Sequence, residues 1–237
     1  MTKVVLPGDF IEDINNLPSV PVIGRGLKVY KNEIISTQGG VFCSSKDGMY
    51  VDVSSKRYQP TVNDLVIGVV INVMVENIKL DICYLENAVL STLSFEGATK
   101  RNKPNIKVGD VVYARVISTS KYLETELACI DKDNFARGLG VLPSGGMVFK
   151  VSLKHARRLL CPKCKLLDFI GKEIKYESCI GINGRIWVKA DTNQSIKCIV
   201  KIIQQSETIP NSKLEEFVSS HVSLMRNYCK EEVMEIK

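Results

Sequence analysis

Histidine and tryptophan are nearly missing from this chain: two His and one Trp in 237 residues. His155 stands among basic residues and His221 on an apolar helical stripe. A His-rich metal centre or a Ser-His-Asp constellation therefore has nothing to be built from. A glycine-rich phosphate loop and an acidic metal cluster are missing as well. No apolar run approaches the ~20 residues that span a bilayer, and nothing at the start reads as a secretory leader. These absences speak against an enzyme, a cofactor, a bound metal, a small-molecule substrate and a membrane protein. No catalytic or metal-ligating residue is assigned.

Cysteine is plentiful but unorganised. Eight are scattered at positions 43, 83, 129, 161, 164, 179, 198 and 229, mostly within apolar runs. That pattern reads as reduced thiols of the cytosol or nucleus, not as a disulfide framework. Cys161-Pro-Lys-Cys164 is a lone CxxC: zinc needs four ligands, and a thioredoxin-like pair would open a helix, whereas this one ends a helix. The expectation is of buried or incidental thiols. A content of 45% hydrophobic and 24% charged residues belongs to a folded protein, and the net charge of +6 permits an anionic partner.

The pattern divides into three domains: 1–57, 58–133 and 142–237. In the first, Leu6-Pro-Gly-Asp9, Pro18-Ser-Val-Pro21 and Gly24-Arg-Gly26 are turn formers. Leu27–Tyr30 and Ile34-Ile35 read as strands, and 41–43 with 49–53 as a hairpin across Asp47-Gly48. No chemistry shows there, and a small β-domain packing on a partner is the reading. In the second, strands are expected at 64–73, 79–83, 88–90, 111–118 and 126–130, with Gly68 where a coiled strand must bend. Five short strands with turns between them describe an OB-type barrel.

Between the third and fourth of these strands runs Phe95-Glu-Gly-Ala-Thr-Lys100-Arg101-Asn-Lys103-Pro. It is too polar and too broken for a strand, so it presents three cations on a loop, and such a loop suits phosphate. Behind it Val111, Tyr113 and Arg115 alternate with Val112, Ala114 and Val116. Lys100, Arg101, Lys103 and Arg115 are the candidate RNA-binding residues. Tyr84, Phe95 and Tyr113 could stack on bases, although each reads first as a core residue.

The third domain reads β-α-α-β-β-α with one further helix, the order of a KH-type domain. Its elements are a strand from Met147, a helix over Leu153–Leu160 with Leu153, Ala156 and Leu160 on one face, and a helix over 165–170 stopped by Gly171. Strands at 174–180 and 185–189 follow, then a helix carrying Ile196, Ile199, Val200 and Ile203. The last helix opens on a Ser212/Glu215 capping box, with a stripe of Leu214, Phe217, Val218, His221, Leu224, Met225 and Tyr228. Gly181-Ile-Asn183-Gly184 has the letters of a KH nucleotide cradle but lies between two strands, where Asn-Gly predicts a type I′ hairpin. Gly181, Asn183, Gly184 and Trp187 are accordingly read as structural. Between 148 and 189 ten Lys or Arg face three acids, an excess that suits an anionic partner or a solvated helix face.

Five stretches carry a resemblance over nearly the whole chain: Ser54-Ser-Lys-Arg-Tyr58; Asp64-Leu-Val-Ile-Gly68-Val; Ser94–Asn105; Val108–Arg115; and Gly181–Lys189. Together with Leu6-Pro-Gly-Asp9, the chain resembles the S1/KH cap subunits of the RNA exosome. The resemblance implies an α+β, multi-domain fold with an N-terminal β-domain, a central S1 barrel of OB type, and a C-terminal KH-type domain with an extra helix. It implies a non-catalytic cap on RNase PH-like ring subunits, beside other cap subunits. Such a cap guides RNA towards a 3′-to-5′ exonuclease in rRNA processing and RNA decay, in nucleus, nucleolus and cytoplasm. It also implies that the GxNG motif packs between the S1 and KH parts. Two other readings stay open: an architectural subunit whose loop cations dock on neighbouring chains, and a free-standing RNA-binding factor or nuclease.

Overall fold

The computed structural model describes residues 3–16, 22–45, 48–120, 122–131 and 133–235, with the backbone alone described over 226–235. The chain forms two compact units, Met1–Ser55 and Lys56–Lys237. The expected turn at 18–21, residue Asp47 and the side chain of Tyr228 lie outside the described residues.

Among its described residues the first unit holds six short strands: β1 (Lys3–Val5), β2 (Phe10–Asp13), β3 (Leu27–Tyr30), β4 (Glu33–Ser36), β5 (Gly40–Ser45) and β6 (Gly48–Asp52). They form two three-stranded antiparallel sheets, ordered β1-β5-β6 and β2-β4-β3. The Leu6–Asp9 turn forms because Gly8 takes a left-handed φ of 94° and the Asp9 carboxylate accepts the Leu6 N–H at 2.8 Å. Strands β1 and β2 escape the sequence reading because neither shows a clean alternation.

In the second unit, β7 (Leu65–Val73), β8 (Asn77–Asp81), β9 (Ala88–Ser91), β10 (Val111–Ser118) and β11 (Glu126–Ala128) build the barrel. Strand β11 pairs with β9 in parallel and with β10 antiparallel, which closes the five strands on themselves. A short β12 (Gly140–Val141) extends the outer edge of β10. Alternation decides the packing: Val112, Ala114 and Val116 of β10 point into a core shared with Val66, Val70, Ile78, Leu80 and Leu90. Gly68 leaves room for the Leu80 side chain in the core, which a Cβ there would meet at 3.0 Å. Among these strands the irregular register of β7 against β8 falls later, between Val70 and Asn72.

The remaining elements are β13 (Met147–Lys150), α1 (Leu153–Leu160), α2 (Leu166–Glu173), β14 (Tyr176–Ile180), β15 (Arg185–Ala190), α3 (Asn193–Gln205) and α4 (Leu214–Glu235). The sheet runs β13-β15-β14, wholly antiparallel, and the helices cover its apolar side. The order is that of a KH domain with one extra helix.

Four details depart from expectation. Leu159, not Leu160, completes the buried face of α1, and Leu160 is exposed. Helix α2 runs through Gly171 to Glu173, so the glycine is accommodated within the helix and does not stop it. Ser212 falls inside a 3-10 turn (Asn211–Lys213), and α4 begins at Leu214 with Glu215 and Glu216 in its first turn, where the helix dipole favours them. On α4, Val222 is buried in place of Leu224, which is exposed, so the stripe runs Leu214, Val218, Val222.

Candidate nucleic-acid interface

The basic loop is held at both ends. Phe95 packs on the barrel core and Ile106 is buried, so an apolar anchor lies on each side of the cations. Gly97 takes a φ of 69°, and the Ala98 N–H donates to the Phe95 carbonyl at 3.1 Å. At the apex, the Thr99 N–H donates to the Asn102 carbonyl and the Asn102 N–H to Thr99 Oγ1, both at 3.0 Å. Lys100 and Arg101 are the two residues inside that closure. At the base, Asp110 accepts the Lys107 N–H at 2.8 Å, and Gly109 and Asp110 bond to both backbone groups of Val70 at 2.9 Å.

Lys100 and Arg101 are exposed and make no ion pair with any described residue. Lys103 is exposed but partly engaged, its Nζ donating to the Val75 carbonyl at 2.5 Å, which ties the loop to the β7–β8 turn. Arg115 is elsewhere in kind: its guanidinium meets Asp131 at 2.6 Å, with Arg137 on the other carboxylate oxygen at 3.2 Å. The structure therefore brings Lys100, Arg101 and Lys103 onto one loop and sets Arg115 on the barrel wall, paired.

None of the three aromatics considered as base platforms is a free ring. Tyr84 and Phe95 pack against the barrel core. The Tyr113 hydroxyl reaches the Ile180 carbonyl at 3.5 Å, and burial, with the nearby Cys179 thiol, pushes its pKa up. The ring that does stand out is Tyr122, 92% exposed on the β10–β11 loop. Sequence reading missed it because no periodic pattern covers that loop.

Gly181, Asn183 and Gly184 join barrel to KH-type domain. The Ile182 N–H donates to the Leu65 carbonyl at 2.9 Å. Asn183 is 4% exposed; its Nδ2 donates to the carbonyls of Ile67 (2.9 Å) and Ile82 (3.0 Å), and its Oδ1 accepts the Ile67 N–H at 3.3 Å. A Cβ on Gly181 would lie 2.8 Å from the Ile67 nitrogen, so only glycine admits β7 this closely. Beside them the buried Arg185 bonds to the Asp81 carboxylate at 2.5 Å and to the Asp81 carbonyl. The turn is not type I′. Asn183 keeps an ordinary φ and only Gly184 is left-handed, at 79°, while the Gly184 N–H closes onto the Gly181 carbonyl at 3.1 Å. Asn183 is spent on a tertiary contact instead of shaping its own turn. Trp187 is 3% exposed, and a Cβ on Gly146 would sit within its indole ring, so it packs as an anchor.

Comparison with known proteins follows the same division. The family model of the exosome complex component RRP40 S1 domain matches residues 58–140, and a KH-domain model matches 146–194. Exosome complex component RRP40 of Homo sapiens is 38% identical over 205 residues, covering 84% of this chain and 74% of that protein. Its counterpart in Saccharomyces cerevisiae is 37% identical over 225 residues, covering 88% and 92%. The chain belongs to the RRP40 exosome-component family. A crystal structure of a protein assigned as an exosome complex RNA-binding protein matches with a TM-score of 0.57, covering 71% of this chain and 98% of that one. At 23% identity it supports the fold alone.

Within this RRP40-family fold, the α1–α2 connection that would carry a glycine cradle in a nucleotide-binding KH domain is Cys161-Pro-Lys-Cys164. Of the two thiols expected to be buried or incidental, Cys161 is exposed and Cys164 half-buried. Among the described residues, no group of three or more His, Cys, Asp or Glu could hold a metal, and no helix is long and apolar enough to cross a membrane.

Proposed function

We propose that this chain is a non-catalytic, RNA-binding cap subunit of an exosome, seated on RNase PH-like ring subunits beside other cap subunits. In this role it steers RNA into the central channel towards a 3′-to-5′ exonuclease. The observation that carries the reading is the free cationic apex: Lys100 and Arg101 held out by the Thr99–Asn102 closure on a loop anchored at Phe95 and Ile106. A rigid perch matters because phosphate contacts gain from side chains that need not be ordered on binding. Lys103 adds charge at the flank while bracing the β7–β8 turn. Arg115 serves at one remove, fixing the residue 126–131 segment through Asp131.

Family membership supports the assembly, since both relatives described above are named as exosome complex components. No constellation for hydrolysis is present among the described side chains, and the work assigned to the chain is guidance: attraction of backbone phosphate without base readout. Such a subunit operates where rRNA is matured and RNA is decayed, in nucleus, nucleolus and cytoplasm. The test is charge reversal of Lys100, Arg101 and Lys103 to Glu within the assembled complex. RNA affinity should fall and its dependence on salt should flatten. Unchanged affinity and slope with an intact complex would sink the guidance reading, while loss of the complex would favour a docking role for the loop.

A further inference from the structure

Neither the basic loop nor the GxNG contact uses the Cys161–Cys164 segment. Helix α1 ends there: Cys161 leaves the helix with φ −74° and ψ 128°, its N–H still bonded to the Arg158 carbonyl. The Cys164 N–H then donates to the Cys161 carbonyl at 2.9 Å. The four residues form a β-turn with Pro162 in its second position, where the ring's fixed φ fits. A β-turn keeps its first and fourth Cα atoms within ~7 Å, and a disulfide asks for ~4.4–6.8 Å. The backbone therefore holds both cysteines at bridging distance while both are free thiols.

Their surroundings differ in a useful way. Cys161 is exposed, whereas Cys164 is half-buried and packs against the core that contains Leu159, Leu166 and Ile170. Lys163 and Lys165 are exposed on either side of Cys164, which favours the approach of an anionic reagent. Zinc has no further ligands to recruit among the described residues. The pair thus offers one accessible sulfur and one shielded neighbour, the arrangement that thiol–disulfide exchange requires.

We propose that Cys161 and Cys164 form a reversible redox couple whose co-reactant is a small anionic disulfide of the oxidised-glutathione class. The Cys161 thiolate attacks one sulfur of that disulfide, forming a mixed disulfide and expelling one thiolate. The Cys164 thiol, on losing its proton, attacks Cys161 Sγ and expels the second. Two protein thiols are oxidised, one external disulfide is reduced to two thiols, and the two protons pass to the leaving groups. Closing the ring consumes an exposed free thiol and fixes the α1–α2 corner in the conformation it already has.

The reduced full-length chain is treated with oxidised glutathione under native conditions, alkylated and cleaved with trypsin. Cleavage after Lys163 falls between the two cysteines, so a bridge leaves the flanking peptides joined until reduction. The expected result is that joined pair, with Cys161→Ser and Cys164→Ser both abolishing it. Cys164→Ser, with Cys164→Ala as a second variant in case Ser unsettles the core, should hold glutathione on Cys161. That adduct should persist at least about tenfold longer than in the wild type, because the intramolecular resolving thiol is gone. The proposal is overturned if the wild type keeps glutathione on Cys161 without closing the ring. It is equally overturned if the joined peptides form only in denaturant, or if Cys164 reacts in Cys161→Ser as fast as Cys161 does in Cys164→Ser.

Discussion

Asn183 is a residue through which two domains of unlike architecture hold one relation, beside Ile182 and Arg185. Its amide satisfies the Ile67 N–H and the carbonyls of Ile67 and Ile82, all of them buried. Asn183→Ala leaves those groups without that partner, and unmet buried groups cost more than a formed bond gains. We expect a loss of about 3 kcal/mol, read as a lower urea midpoint with an unchanged slope. Asp81 beside it gives a pH signature. Burial pulls its carboxyl pKa up, but the Cys83 N–H, the Arg185 guanidinium and the charge of Lys150 together pull it down further. A depressed carboxyl pKa means that the unfolded chain binds more protons. The resulting stability is present above the ordinary carboxylate value of about 4 and is lost as pH falls through the native value. Because the Asp81 side chain is 41% exposed, solvent screens part of this. Asp81→Asn should be less stable than the wild type at neutral pH, with the two stability curves converging below pH ~4; curves that stay parallel would exclude the linkage.

At the scale of elements, one side chain fastens α1 to the connection between α3 and α4. Arg158 donates to the carbonyls of Ser206 (3.0 Å), Glu207 (3.1 Å) and Ile209 (2.5 Å) and to Asn211 Oδ1 (2.7 Å). These acceptors lie on the 3-10 turn over Ser206–Thr208 and the segment after it, and a planar guanidinium can gather them where an ammonium cannot. Arg158→Lys should speed amide exchange over residues 206–213 several-fold while leaving the barrel strands unchanged. Sequence alone carried the strand-and-helix order well, and for a physical reason: Val111–Val116 alternates cleanly, and Ile196, Ile199 and Ile203 repeat at helical spacing. It failed where a residue answers to something distant. The hairpin between β14 and β15 is where the motif predicted it, but Asn183 looked like a type I′ turn former because its partners stand 101 and 116 residues away. Gly171 looked like a helix stop because of glycine's poor helix propensity, which the packing of Leu166 and Ile170 on the core overrides. At the candidate interface, the cations of the loop were legible as a cluster, but Arg115 was not legible as the partner of Asp131, sixteen residues later and beyond the end of β11. Tyr122 lay outside any pattern.

For the molecule as a whole, the distribution of charge decides what kind of RNA contact is possible. The net charge of +6 is modest, and in the proposed role the cations on the loop act as a local perch on a barrel where Arg115, Arg137 and Lys79 are all matched by carboxylates. Binding through such a perch should be insensitive to base identity, since phosphate contacts position a strand without reading it. Lys100→Ala with Arg101→Ala in the assembled complex should therefore weaken different homopolymer RNAs by the same factor. The salt slope should shrink by about 1.4, or ~0.7 for each phosphate contact to a single strand. Lys103→Ala should change the slope less than either, because its Nζ already donates to Val75 within the fold. Titrations at several salt concentrations with each homopolymer check all three statements. A loss confined to one base, or a Lys103 effect as large as that of Arg101, would mean that the loop reads RNA in a bound geometry different from the one it holds alone.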